Sequence, residues 1–456
     1  MLREIAIGLL IPLALIWGLL SAQGSVLVLN WIWFQRPYEF SWGLWATLPA
    51  FKIALAVAIF SNLIRGEFRP RMTPLLAVYL LFLGWLTVSA ALAYDTQHAW
   101  NFYAAFLPSM WISPVVMLAI VHDLRLLKLV FWVAAGGIGL NAAKTGLVLT
   151  LAGGAVLNTG NSGFVGDNNV IALTMCMVVA VLIGLRGTLP DRRLLRGIYW
   201  IGVGLILLAI VYTRSRGAYL ALGTVFLLGA ALGPKPVRDG FLVLVLAAVA
   251  YAYLPEDNFA RLSTIRDYKE DVSAMGRIEN WKLAWEAAVR HPMFGVGVDN
   301  HIPYYTRLVQ PGVQVRVAHS VYFQVLGELG FPALALYLTF LVGSLVSLYR
   351  TWRLALRSVQ TDPEFQWVAD LALWSFCAVA GFAVGAMFLN MLYIEFPWMV
   401  MFYGILLGIL FRQQLKEQTD QRGAHGRTKT LEAKRRLEGP YAGPVVRQGM
   451  TKRRIS

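Results

Sequence analysis

The sequence predicts an all-α polytopic membrane protein of about 12 transmembrane helices, interrupted by one large helical loop. Three observations carry this. Hydrophobic residues make up 58% of the 456 residues and charged residues only 14%, far from the balance of soluble globular chains. Apolar stretches long enough to cross a hydrocarbon core as helix, roughly 17–25 residues, recur along the chain. Lys and Arg fall in alternate short loops, the charge pattern that orients helical membrane proteins.

Taken in order, the first 35 residues hold one long broken span or two short ones. Ser21 and Ala22 follow an apolar run as they would before a cleavage site. The weak basic charge ahead of that run, and the apolar stretch that follows at once, favour an uncleaved first span. Further spans fall near 44–63, 74–93, 103–121, 129–151, 168–186, 197–213, 217–233 and 239–254, completing an N-terminal membrane region, 1–254. Residues 255–318 are polar and charged with both signs, and form the large loop. A C-terminal membrane region, 319–412, holds spans near 319–349, 367–389 and 396–412. The tail, 413–456, is polar and basic, with Gly423, Gly426, Gly439, Pro440, Gly443 and Pro444. It is expected to be a disordered cytoplasmic segment close to anionic lipids.

The net charge of +15 divides unevenly. From Arg412 onward there are 12 Lys/Arg against 4 Asp/Glu, whereas the loop 255–318 carries 8 of each. The rest lies in short loops, which marks topology and argues against a nucleic-acid surface. Arg65, Arg69 and Arg71 define one side. Arg125 and Lys128, then Arg186, Arg192, Arg193 and Arg196, then Lys235 and Arg238, then Arg350, Arg353 and Arg357 return to it. The alternate loops, 94–101, 152–167 and 390–395, contain no Lys or Arg. The basic side is expected to be cytoplasmic, which puts the large loop outside, in the periplasm of a bacterium. Cys176 and Cys377 both lie within apolar spans and read as packing residues.

Three segments stand out for chemistry. Tyr212-Thr213-Arg214-Ser215-Arg216-Gly217 joins two spans on the outer side, against the charge rule. Charge there costs up to about 3 kcal/mol per residue at mid-membrane, less near the interface. The arginines fit a lipid phosphate, with snorkelling to head groups as the plainer alternative. The second segment is the helical pattern after Ser273, a candidate N-cap, stopped by Pro292 after His291. Ile278, Trp281, Trp285 and Ala288 form a stripe expected to lie on the bilayer interface. Arg277 is expected in the first turn, where an arginine beside unpaired backbone N–H groups suits a diphosphate. A surface pair with Glu279 or Asp271 is its plainer reading. The third is His319, where the loop meets the next span. An imidazole titrates near neutral pH and can take a proton, although a lone histidine is more often structural. Glu328, nine residues on, could orient a neighbour or cap a polar cavity. Gly166-Asp167-Asn168-Asn169 could bind sugar hydroxyls or cap a helix. Asp95, Asp167 and Asp299 are all on the outer side, but their spacing does not define a metal site, and no Cys/His cluster does. Gly295-Val296-Gly297 reads as a turn.

These motifs, in this order, resemble the O-antigen ligase superfamily, membrane glycosyltransferases of the GT-C class. The matching residues are Ser215-Arg216-Gly217; Gly276-Arg277-Ile278 with Trp281 and Ala284; His291-Pro292 with Gly295 and Gly297; and Ala318-His319-Ser320 with Tyr322, Gly327, Glu328 and Gly330. A narrower similarity, to the O-glycosylation ligases associated with exosortase systems, rests on Phe164-Val165-Gly166-Asp167-Asn168-Asn169 and on the run from Arg261 into Arg277. Arg214 departs from the pattern, in which an uncharged residue usually precedes Ser-Arg-Gly.

The resemblance implies a GT-C-like fold and transfer of a glycan from undecaprenyl diphosphate to an acceptor hydroxyl at the periplasmic face of the inner membrane, inverting and metal-independent. By matched position, Arg216 and Arg277 would bind the lipid diphosphate and His319 would be the general base. Arg214, Asp167, Asn168, Glu328 and Tyr322 are weaker site candidates. The partners implied are the lipid-linked donor, a glycolipid, polysaccharide or protein acceptor, and membrane lipids, with no cofactor. A repeat-unit polymerase or protein O-oligosaccharyltransferase would share the scaffold. A lipid-linked glycan flippase is the alternative from another class, but it should carry ionisable groups near span midpoints and two related halves.

Overall fold

The computed structural model describes residues 2–41, 47–153, 168–237, 240, 272–308 and 317–437, and the regular elements among them are all helical. The first compact unit is Met1–Gly408. It opens with α1 (Leu2–Leu20) and α2 (Ala22–Gln35), so the N-terminal apolar region is two helices broken at Ser21, whose side chain caps α2. Next come α3 (Ala50–Ile64) and α4 (Pro74–Ala91). α5 (Thr96–Phe106) continues through a π-turn at Leu107–Ile112 into α6 (Ser113–Ile120). This span starts earlier than the sequence suggested, because Asp95 caps it by accepting from His98 N at 3.0 Å. α7 (Leu124–Leu151), α8 (Asn168–Leu185), α9 (Arg193–Tyr212) and α10 (Arg216–Leu232) follow. α11 (Val272–Arg290) and α12 (His301–Leu308) come from the large loop. α13 (Val321–Ser358) and α14 (Gln366–Gly385) lead to α15 (Glu395–Leu437).

Among the described residues, nine helices are long and apolar enough to cross a membrane, and α3 and α10 are shorter apolar helices. The expected span at 239–254 lies, apart from residue 240, outside the described residues, as does the whole loop segment 255–271. α8 is the most enclosed of the nine, buried from Val170 to Leu185. A second packed region is aromatic: Tyr79, Phe82, Trp111, Tyr337, Phe340, Trp398 and Phe402 stack or meet edge-on.

The loops group as the charge alternation predicts. On the basic side, Arg69 N donates to Ala119 O (2.9 Å), Arg71 donates to Leu118 O and Val121 O (2.7 and 2.8 Å), and Arg186 pairs with Asp370 at 3.3 Å. On the other side, Tyr94 N donates to Val296 O (2.9 Å) and Asp95 N to Asn300 Oδ1 (2.7 Å). There too Ser320 N donates to Asn390 Oδ1 at 3.0 Å. Of the Lys/Arg-free loops, 94–101 therefore meets the large loop and 390–395 meets Ser320, just after the loop's end.

In the second unit, beginning at Ile409, the described residues to 437 are helical. The sequence led to an expectation of disorder from 413. Residues 413–437 are instead rich in Gln, Leu, Lys, Glu, Ala and Arg, good helix formers, and no proline follows Pro397 until Pro440.

Candidate active site at the large-loop end of the bundle

The site is built on a broken helix. α13 leaves helical geometry at Gly330, where φ is +83°, and Pro332 follows. Pro332 has no N–H, so the carbonyl of Glu328, four residues earlier, loses its helical donor. That carbonyl instead accepts from Gly297 N at 2.9 Å and Ser89 Oγ at 3.2 Å. Gly327 O takes Val296 N at 3.0 Å, and Phe331 N donates to Pro292 O at 3.0 Å. Residues 291–297 thus run backbone to backbone against the break. This is what Gly295 is for: a Cβ there would stand 2.3 Å from Glu328 C. The turn read from Gly295-Val296-Gly297 is the clamp that holds Glu328.

Glu328 is fully buried, 0% exposed, and its carboxylate is saturated with donors. Oε1 accepts from His301 Nδ1 at 2.9 Å and Gln324 Nε2 at 3.2 Å. Oε2 accepts from Tyr393 Oη at 2.5 Å and Asp299 N at 3.1 Å. Four donors replace the water a buried carboxylate loses. Burial and the neighbouring Glu328 charge push the Tyr393 hydroxyl well above its usual pKa, so it stays a neutral donor. Behind this group the Asp299 carboxylate meets His98 Nε2 at 3.0 Å. Burial, then the Glu328 charge, raises the Asp299 pKa, and His98 opposes them.

The three segments singled out from sequence come together around the C-terminal end of α14. Ser215 caps α10, so Arg216 is its first residue, and a Cβ on Gly217 would lie 3.5 Å from Phe388 Cβ and 3.9 Å from Gly385 O. On the same turn Val321 N donates to Ala386 O at 2.9 Å, and Tyr322 Oη donates to Ala383 O at 2.7 Å. Ser320 N is held by Asn390. Arg216 and His319 therefore flank one turn of chain. Trp281 Nε1 donates to Ala318 O at 2.8 Å and its ring stacks on Phe323 at 5.1 Å. That bond draws α11, with Arg277 one turn before Trp281, to the residue preceding His319.

Backbone strain marks the same places. Four described non-glycine residues have left-handed φ, and three of them are Arg214 (53°), Asp299 (54°) and His319 (45°). Such conformations are uncommon and concentrate where surroundings impose them. At Arg214 the left-handed residue lets α9 turn into α10 with almost no loop.

Several expectations change. α11 begins by Val272, so Ser273 lies within the helix and Arg277 falls in its second turn, beyond the first four backbone N–H groups. The unpaired helix-start donors are therefore not beside Arg277. The expected bilayer-facing stripe is split: Trp281 lies on Phe323 and Ala288 is buried against protein. Trp285 alone of the two tryptophans is exposed, edge-on to Phe331. Glu328 is a buried hub. Tyr322 ties α13 to α14. Asn168 opens α8, and Asp167 lies outside the described residues. Among the described residues no group of His, Cys, Asp and Glu could hold a metal ion. Sequence reasoning passed over His301, Gln324, Asn390 and Tyr393. One signal was legible: Glu328 in an apolar span needed donors, and Gln324 sits one turn before it.

Among the described residues, an all-helical bundle with membrane-length helices and a buried acid–imidazole pair, Glu328 with His301, is consistent with a polytopic membrane protein carrying a polar site. Residues 201–338 match the family model described as O-antigen ligase. The match runs from α9 into α13 and takes in Arg216, Arg277, His319 and Glu328. It supports the O-antigen ligase superfamily and, with it, a glycan-transferring activity of ligase or polymerase type. No curated protein matches the chain.

Proposed function

We propose that this protein transfers a glycan from undecaprenyl diphosphate to an acceptor hydroxyl at the periplasmic face of a bacterial inner membrane. The reading is supported by the chain on either side of the proposed residues: Gly217, next to Arg216, and Val321, two after His319, both pack on the 385–390 turn, and Trp281, one turn after Arg277, bonds Ala318 beside His319. The leaving group is a lipid diphosphate. Two guanidiniums directed at it stabilise charge that develops as the anomeric C–O bond breaks. His319 takes the proton of the acceptor hydroxyl as the new C–O bond forms. A single attack inverts the anomeric configuration. Both reacting groups are bound and oriented by the protein, and no cofactor is called for.

The periplasmic side follows from positive charge on the opposite loops. The ligase reading, with an acceptor glycan or protein distinct from the donor, is favoured over flipping because the charges gather at one rim of the bundle. The exosortase-associated subgroup remains part of this reading through the 261–277 run. The test is glycosyl transfer by purified protein from a fluorescent lipid-linked oligosaccharide to lipid A core, a protein or a growing polymer. Arg216→Ala, Arg277→Ala and His319→Ala should each insert normally and lose transfer by about 100-fold or more. Full transfer by His319→Ala would remove the base, and movement of the intact donor across liposomes without transfer would overturn the enzyme reading.

A further inference from the structure

We propose that residues 281–297 form a re-entrant hairpin, which dips into the leaflet nearer the large loop and lays Trp285, Val289 and Met293 against phospholipid acyl chains. The inference does not depend on the transfer reaction proposed above.

Contacts with α13 and α4 define the path of the segment. Going down, α11 meets α13 at successively later residues. The Trp281 ring stacks on Phe323. Ala284 packs on Gly327, where an added Cβ would lie 3.2 Å from Ala284 Cβ. The Trp285 ring meets Phe331 edge-on at 5.7 Å, and Pro292 O accepts from Phe331 N at 3.0 Å. The returning leg climbs α4. Met293 O accepts from Trp85 Nε1 at 3.0 Å, Phe294 O from Ser89 Oγ at 2.8 Å, and Val296 O from Tyr94 N at 2.9 Å. The lowest point is therefore Met293, level with Trp85. α4 has 18 residues, about 27 Å of helix, close to a hydrocarbon core of roughly 30 Å. Its end at Ala91 thus lies near the membrane edge, and Trp85, six residues earlier, lies about 9 Å inside it.

Irregular backbone at that depth is tolerated only where protein satisfies its polar groups. Here the carbonyls of His291, Pro292, Met293 and Phe294 accept from Gly295 N, Phe331 N, Trp85 Nε1 and Ser89 Oγ in turn. The N–H groups of Gly295, Val296 and Gly297 all donate to backbone carbonyls. An aqueous turn leaves such groups to water.

The side chains left outside are apolar. Trp285, Val289 and Met293, four residues apart, are 53, 56 and 52% exposed, whereas Ala284, Ala287 and Ala288 are buried on the other side of α11. The exposed residues continue a stripe on α13, where Phe331, Leu338, Val342, Val346 and Tyr349 are exposed at helical spacing on a membrane-length helix. The Trp285–Phe331 contact joins the two surfaces. An exposed apolar patch of this kind marks a partner, and continuity with the outer face of a span makes that partner the acyl chains. The polar groups of the segment are turned elsewhere. Lys282 lies toward the start of the descending leg. Glu286 and Arg290 pair with each other, about 100° round the helix from Trp285 and Val289. His291 Nε2 meets Tyr304 Oη of α12 at 3.2 Å.

The first arm of the experiment uses the wild-type full chain in liposomes that contain a phospholipid with a carbene precursor in its acyl chain. After illumination, labelled residues are mapped by mass spectrometry. Label should fall on Trp285, Val289 or Met293 as well as on the α13 stripe, and not on Glu286. Label on α13 with none between 285 and 293 overturns the hairpin. The second arm fixes depth. Glu286→Cys, Val289→Cys, Met293→Cys and Leu92→Cys each carry an environment-sensitive fluorophore; the native Cys176 and Cys377 are buried, and wild type treated alike supplies the background. The probes at 289 and 293 should be quenched by lipids brominated in the acyl chain and shielded from aqueous iodide, with the reverse at 286. The probe at 293 should respond to a deeper bromine position than the probe at 92, just past the end of α4. Iodide quenching at 289 and 293 equal to that at 286 would mean a water-exposed loop, and protection from both quenchers a second copy or another protein on this face; either result overturns the proposal. Should a cysteine variant fail to reconstitute, the photolabelling arm decides alone. Neither arm reads glycosyl transfer, so failure of the reaction proposed above and failure of the hairpin are told apart.

Discussion

Replacing Gly295 by alanine should disconnect the clamp that holds the buried acid. The residue has φ +64°, which costs an L side chain about 1–2 kcal/mol. Its Cβ would also lie 2.3 Å from Glu328 C, 2.4 Å from Glu328 O and 2.4 Å from Leu329 N, all backbone atoms. No side-chain rotation relieves such a contact, so residues 291–297 must move away from α13. The bonds Val296 N to Gly327 O and Gly297 N to Glu328 O would then lengthen or break, at about 1 kcal/mol each. The sum is roughly 3–4 kcal/mol of local destabilisation. It would also shift Asp299 N–H and His301, which follow directly in sequence and both bond to Glu328. The assay is thermal unfolding of the purified protein beside glycosyl transfer. Gly295→Ala should unfold several degrees earlier and lose transfer by at least about tenfold, the rate equivalent of 1.4 kcal/mol. Gly223→Ala is the control: it sits in α10 with nothing within 4 Å of its Cβ. It should be neutral or slightly stabilising. A Gly295→Ala protein that melts and transfers like wild type would refute the packing argument.

Two further outcomes follow from the same contacts. Asn390→Ala removes the acceptor of Ser320 N beside His319. It should lower kcat about tenfold while leaving the melting temperature and donor KM close to wild type; a KM effect alone would mean that Asn390 binds substrate and does not position the histidine. Asp299→Asn tests the raised Asp299 pKa. A carboxyl whose folded pKa lies above its unfolded value favours folding when protonated and opposes it when ionised. The variant should therefore unfold at a higher temperature than wild type at pH 8, with the difference closing as pH falls toward the unfolded carboxylate range near about 4. Asn also tolerates the left-handed backbone at this position. A lower melting temperature at pH 8 would show that the His98 contact outweighs burial.

What the sequence determined by itself was the part of the protein written in local composition. Span lengths and the alternation of Lys/Arg set which loops share a side, and the contacts of Arg71 with Val121 and of Tyr94 with Val296 follow that grouping. Arg216, Arg277 and His319 stood out as site candidates because charge and imidazole at the rim of an apolar bundle are conspicuous, and because they fall in recognisable motifs. The Trp281 stripe was readable as a helix face but not as to its partner: bilayer and protein are equally apolar, and periodicity does not tell them apart. In residues 413–437 polarity suggested disorder, whereas good helix formers there are helical. Only the tertiary structure decided the arrangement around Glu328. A proline's missing N–H frees a carbonyl, a left-handed glycine lets another segment approach it, and His301 and Tyr393, respectively 27 and 65 residues from Glu328, arrive at one carboxylate. Such a meeting depends on long-range backbone packing, which leaves no periodic trace in the chain.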